Sequence, residues 1–198
     1  MSNSETSLPE QILFTATNLF IQKGYHGLSM REISDALNVS KAALYYYFKD
    51  KEELFLAILR LYLDNMNTAL NHIILEPITS SQKIRLFMEY VLTQPGPQRA
   101  TIRLSIQEIT HISLEARQGF DKIYREKFVD KIQSILQTGM EDNEFREINT
   151  EIAVWALLGI MFPYFYPAHA GDQPVADEVI EEITRIYLTG ICIERHPN

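Results

Sequence analysis

Apolar residues recur three or four positions apart along nearly the whole chain, and strict apolar–polar alternation is almost missing. That period belongs to helices with one buried face, so the expected fold class is all-α, with about nine helices. Start and stop signals bound them. Ser7 with Glu10 is a capping box, with Pro9 in the first turn, opening a helix that buries Ile12, Ala16, Leu19 and Phe20 and ends at Gly24. Ser29 with Glu32 opens a short helix carrying Ile33 and Leu37, Asn38 ends it, and Ser40 caps another in which Leu44 and Phe48 share a face. Asp50 with Glu53 is a third box, starting a long helix through Leu54, Ala57, Ile58, Leu61 and Met66 that Pro77 stops. Amphipathic stripes then predict helices over 81–93, 98–112, 116–140, 150–165 and 175–193, with Pro95-Gly96-Pro97 as a break. The helix over 150–165 is apolar nearly all round, which requires burial on more than one side.

Two short helices joined by a few residues read as a helix-turn-helix at about 31–50. With Leu44 and Phe48 inward, Ala42, Tyr45, Tyr46 and Lys49 project outward, flanked by Lys41 and Tyr47. Three consecutive tyrosines point about 100° apart on a helix and cannot all enter one core. Small side chains, hydroxyls and ammonium groups suit base edges and phosphates in a DNA groove.

The stretch resembles the DNA-binding domain of the tetracycline-repressor (TetR) family of bacterial transcription regulators. The matching residues are Gly24-Tyr25, Ile33-Ser34-Asp35-Ala36-Leu37, Val39-Ser40-Lys41 and Leu44-Tyr45-Tyr46-Tyr47-Phe48-Lys49-Asp50-Lys51-Glu52-Glu53-Leu54. Tyr47 and Asn38 depart from it, since the family often has His and Gly there. The resemblance implies an N-terminal three-helix DNA-binding domain at 8–68 and a C-terminal helical effector-binding and dimerisation domain at 69–198. It implies double-stranded operator DNA as partner, Lys41, Ala42, Ala43 and Tyr45 near bases, and Ser29, Arg31, Tyr46, Tyr47 and Lys51 on phosphates. It further implies a repressor that is a homodimer through its last two helices and is released by a small molecule. Candidates to line that effector's site, an apolar or aromatic compound, are Phe87, Tyr90, Val91, Ile106, His111, Phe120, Tyr124, Trp155 and Phe162. The long helix from Lys51 joins the two domains without a linker and is the expected carrier of the signal.

Charge complicates this picture. The net charge is −8, and the first 55 residues hold five Lys/Arg against seven acids. A nucleic-acid-binding domain is ordinarily basic, so a second reading is a helical ligand- or protein-binding module that has lost DNA binding. Cys192 is the only cysteine, which excludes an internal disulfide and fits a reducing, cytoplasmic setting. The segment Met1–Ser7 lacks the basic-then-apolar pattern of an export signal. The uncharged run 152–170 is broken by Pro163 and Pro167, and its apolar part is shorter than the roughly 20 residues a membrane span needs.

Glu108 and His111 form an E-x-x-H pair of the kind helical di-metal proteins use, but no second copy accompanies it. His26, His72, His169 and His196 are scattered along the chain. No G-x-S-x-G, phosphate loop or H-E-x-x-H occurs. Neither catalysis, cofactor nor metal is expected.

Overall fold

The computed structural model describes residues 7–171 and 173–192; the N-terminal segment before Ser7, Ile193 and His196 lie outside the described residues. Its helices are α1 (Leu8–Lys23), α2 (Met30–Leu37), α3 (Lys41–Tyr47), α4 (Lys51–Leu75), α5 (Ser80–Leu92), α6 (Gly96–Glu108), α7 (Leu114–Tyr124), α8 (Asp130–Glu141), α9 (Thr150–Met161), α10 (Pro167–Ala170) and α11 (Asp177–Ile191). Among the described residues the only β pairing is an isolated bridge between Phe145 and Cys192.

The chain divides into two compact units. One holds the residues up to Tyr62 together with Ala100–Asp121; the other holds Leu63–Arg99 and the chain from Lys122 onward. The division falls inside α4, α6 and α7.

In the first unit, α1 packs on α2 and α2 on α3. Ile12, Ala16, Phe20, Leu28, Ile33, Leu44, Leu54, Phe55 and Ile58 are buried. Phe55 meets Phe20 and Tyr25 edge-on at 5.3 Å in both cases, an aromatic centre for a domain too small to form a deep aliphatic core. Local chemistry sets the helix starts. The Ser7 N–H and hydroxyl donate to Glu10, and Ser29 and Glu32 exchange bonds reciprocally, Ser29 N–H to Oε2 at 2.9 Å and Glu32 N–H to Oγ at 3.3 Å. The box at α4 is wider than expected: Glu53 N–H donates to Asp50 at 2.8 Å, but the Glu53 carboxylate accepts from Lys49 N–H, one residue further back.

In the second unit, α8 packs on α5 and α9, and α11 packs on the same two helices. Ile84, Phe87, Met88, Val91 and Leu92 of α5 are buried against Ile132, Ile135 and Leu136 of α8 and Ile180, Ile183 and Tyr187 of α11. Phe145 lies over Gly139, where a Cβ would come within 2.2 Å of its ring. Arg99, 2% exposed, donates to the carbonyls of Leu92, Gln94, Gly171 and Gln173 and so ties the connection before α6 to the one before α11. Only a guanidinium offers enough donors in one plane for four acceptors.

Three expected helices differ. The one over 98–112 ends at Glu108 and tightens into a 3₁₀ turn, Ile109–His111. The one over 116–140 starts at Leu114 and widens into a π turn at Arg125–Val129 before α8. The one over 150–165 stops at Met161, and Phe162–Phe165 is a 3₁₀ turn with Pro163 in its first turn, where a proline N–H is not needed. No helix is long and apolar enough to cross a membrane among the described residues.

Candidate nucleic-acid interface

The turn between α2 and α3 is three residues long. Asn38 adopts the left-handed conformation (φ 54°, ψ 39°), and the Val39 N–H returns to Ser34 O at 3.0 Å, which ends α2 and turns the chain. Ser40 Oγ accepts from Ala43 N–H at 3.1 Å and starts α3. Leu44 is fully buried and Phe48 nearly so, which fixes the rotation of α3. Lys41, Ala42, Tyr45, Tyr46 and Tyr47 are consequently exposed, Tyr46 most of all at 82%, and Ala43 is half-buried. The rings of Tyr46 and Tyr47 meet edge-on at 5.0 Å, so each limits the other's rotation. Arg31 is exposed on α2, 3.7 Å from Asp35. The Ser29 hydroxyl donates to Glu32 within the capping box.

Lys51 is placed differently from the expectation of a phosphate contact. Its ammonium turns inward, donating to Tyr25 O at 2.6 Å and Leu28 O at 2.8 Å and lying 4.4 Å from the centre of the Tyr25 ring. It staples the α1–α2 connection to the start of α4. Desolvation holds its pKa below the ordinary lysine value, and the charge of Glu32 opposes that shift.

Five of the seven acids that made this domain negative are occupied. Glu10, Glu32, Asp50 and Glu53 cap helices, and Glu52 accepts from the Ser113 N–H at 2.7 Å and hydroxyl at 2.8 Å. Lys23, then Ser29, holds the Glu32 carboxyl down to about 2. None of the five is on α3. Net charge therefore understates how well the α3 face suits an anion.

The residues expected to line an effector site are dispersed. In the second unit Phe87 and Val91 are buried and Phe87 meets Phe128, 5.8 Å away, which in turn meets Tyr124 at 5.2 Å. Burial pushes the Tyr124 phenol well above its ordinary pKa. Phe162 packs on Phe165 and Tyr166, whereas Trp155 is 50% exposed on α9. Tyr90 lines an open cleft of about 700 Å³ with His72, Arg85 and Glu181, which no other expected effector residue reaches. In the first unit Phe120 is buried, Ile106 is exposed, and His111 pairs with His26. Phe128, expected on the apolar stripe of the helix over 116–140 but not among the effector candidates, sits within the π turn.

Glu108 and His111 do not face a second E-x-x-H. Glu108 accepts from the Tyr25 N–H at 3.1 Å. Among the described residues, no group of three or more His, Cys, Asp or Glu is placed to hold a metal ion.

Comparison with known proteins agrees with this geometry. Residues 12–58 match the family described as bacterial regulatory proteins, tetR family, and residues 77–164 match the tetracyclin repressor-like C-terminal domain. The chain is 22% identical over 92% of its length, and 90% of the relative's, to the HTH-type transcriptional repressor KstR2 of Rhodococcus jostii. A 79-residue match, 35% identical, covers 40% of the chain but only 36% of the HTH-type transcriptional activator FasR of Mycolicibacterium smegmatis. The fold is also that of AibR, solved in complex with isovaleryl coenzyme A and operator DNA, with a TM-score of 0.74 and 22% identity over 90% of this chain and 96% of that one. These relatives are regulators and not enzymes, and the reading in which DNA binding is lost gives way to them. A helix-turn-helix with its tyrosine face exposed, in a chain matched in both halves, belongs to the TetR family and is a DNA-binding transcriptional regulator.

Proposed function

We propose that the protein is a homodimeric repressor that leaves a palindromic operator when a small molecule binds its second unit. The observation that carries the DNA part is the exposed face of α3; on this reading Lys41, Ala42 and Tyr45 face bases, and Tyr46 and Tyr47, with Arg31 of α2, face phosphates. Dimerisation is supported by an apolar surface on α9 and α11, where Ile152 (68% exposed), Trp155 and Ile186 stand in the open on helices whose opposite faces are buried. Two-fold pairing through those helices would present two copies of α3 to two half-sites.

Repression follows KstR2, whose match spans nearly the whole chain, over FasR, whose match is confined to part of it. For the effector, the aromatic group Phe87, Phe128 and Tyr124 favours a compound with an apolar body. AibR accommodates an acyl-coenzyme A, which makes acyl thioesters the first class to try. The protein acts in the cytoplasm, where its operator is.

A gel shift with the DNA upstream of the protein's own gene tests the reading. Wild type binds as a dimer, Tyr46→Ala binds at least tenfold more weakly, and an acyl-coenzyme A series releases the wild-type complex. Equal binding by Tyr46→Ala refutes the contact face.

A further inference from the structure

The end of α6 and the connection between α1 and α2 bring two imidazoles together that the DNA-binding reading does not use. His26 Nε2 and His111 Nδ1 are 2.9 Å apart, with ring centroids at 4.3 Å and planes 72° from parallel. Tyr25 braces both rings, stacked on His111 and edge-on to His26. Both histidines are exposed, so an ion and its waters can reach the nitrogens. On the far side of His111, Nε2 lies 3.6 Å from Glu108 Oε2, whose carboxylate is itself fixed by the Tyr25 N–H.

We infer that His26 and His111 form a two-imidazole chelate for a divalent transition metal, with Glu108 as the carboxylate that orients His111. A metal-bound imidazole characteristically gives its other N–H to a carboxylate; Glu108 Oε2, 3.6 Å from Nε2, stands just outside hydrogen-bond reach and would close on it when the ion binds. With Nε2 carrying the hydrogen, His111 Nδ1 presents its lone pair. In that tautomer the His26 Nε2–H would donate to it in the metal-free chain, and on metal binding that proton would move to Nδ1 of the same ring, freeing Nε2 with no net change in protonation. Two bonds of about 2.0–2.1 Å at a right angle place their nitrogens about 2.9 Å apart, and at a tetrahedral angle about 3.4 Å. The observed 2.9 Å is set by the hydrogen bond between the two rings, and it is close enough to the spacing of adjacent positions on Cu(II) or Ni(II) that the rings need only reorient to share one ion. Two protein donors do not make a closed cage, so water fills the remaining positions.

Electron paramagnetic resonance of the chelator-stripped, full-length protein with one equivalent of Cu(II) tests the site directly. Wild type gives a tetragonal signal with coupling to two nitrogens, and His26→Gln or His111→Gln loses the two-nitrogen pattern. A spectrum with fewer than two nitrogens, or one unchanged by either substitution, overturns the inference. Glu108→Gln keeps an acceptor for the Tyr25 N–H, so it tests orientation without unfolding the corner. Competition against a chromophoric chelator should show its Ni(II) affinity lowered roughly 10–100-fold. Affinity equal to wild type would make the carboxylate a bystander and refute its assigned part. Substitution of His72 or His169 leaves both readouts unchanged; a change in either would place the ion elsewhere.

Discussion

Replacing Lys51 with Met separates the two roles open to this residue, phosphate contact or internal staple. Met keeps the length of the stem and removes the donors. Lost are two ammonium-to-carbonyl bonds, at 2.6 and 2.8 Å, and the charge over the Tyr25 ring. Because Lys51 is only partly buried, water replaces some of what is lost, leaving about 1 kcal/mol for each bond. The ring contact at a half-exposed site adds about 0.5 kcal/mol. Relief of the ammonium's desolvation offsets a fraction, for a net loss of about 2 kcal/mol. For a chain of this size that is a fall in Tm of about 4–8 °C by differential scanning calorimetry. Operator affinity should fall as well, because the α1–α2 connection loosens, but the dependence of log K on log salt should keep its wild-type slope. A phosphate contact predicts the reverse: unchanged Tm and a slope shallower by about 0.9 for each subunit. That second pattern would refute the staple.

Gly139→Ala tests the close approach of Phe145. A methyl would meet the ring at 2.2 Å and Ser80 Cβ at 3.0 Å, so despite alanine's better helix propensity the variant should lose about 1–3 kcal/mol in chemical denaturation, and equal stability would show that the ring can move aside. Glu32→Gln tests the charge at the start of α2. Lys23 and then Ser29 lower this carboxyl to about 2 from 4.5, so its stabilisation is present above about 4.5 and is lost as pH falls toward 2. The Tm gap between wild type and variant should therefore close between those values, since Gln still serves a capping box, and a gap that persists at pH 2 would place its source outside the charge.

What could be read from the sequence divides by the range of the interaction. Capping boxes at Ser7 and Ser29, the left-handed Asn38 and the inward pair Leu44 and Phe48 depend on residues three or four positions apart, and the folded chain has them. The inward bonds of Lys51 were not legible because its partners are backbone carbonyls 23 and 26 residues earlier, and a carbonyl has no sequence signature. Glu108 finds the Tyr25 N–H across 83 residues for the same reason. The π turn at Arg125–Val129 carries no proline or glycine to announce it, yet it holds Phe128, the ring that meets Phe87. The exposed α3 face was legible because three adjacent tyrosines cannot share one core; the effector residues were not, because apolar residues read alike whether they line a cavity or fill one.

The inclusion of Ala100–Asp121 in the first unit has a consequence for biosynthesis. Glu108 and Ser113 supply bonds to the α1–α2 connection and to the start of α4, and both leave the ribosome long after the helix-turn-helix itself. At about 5–20 residues per second, the interval between residues 62 and 121 is on the order of 3–12 s. During that interval the nascent reading head has its caps and aromatic centre but lacks these two clamps. Its final docking therefore waits for translation of the middle of the message.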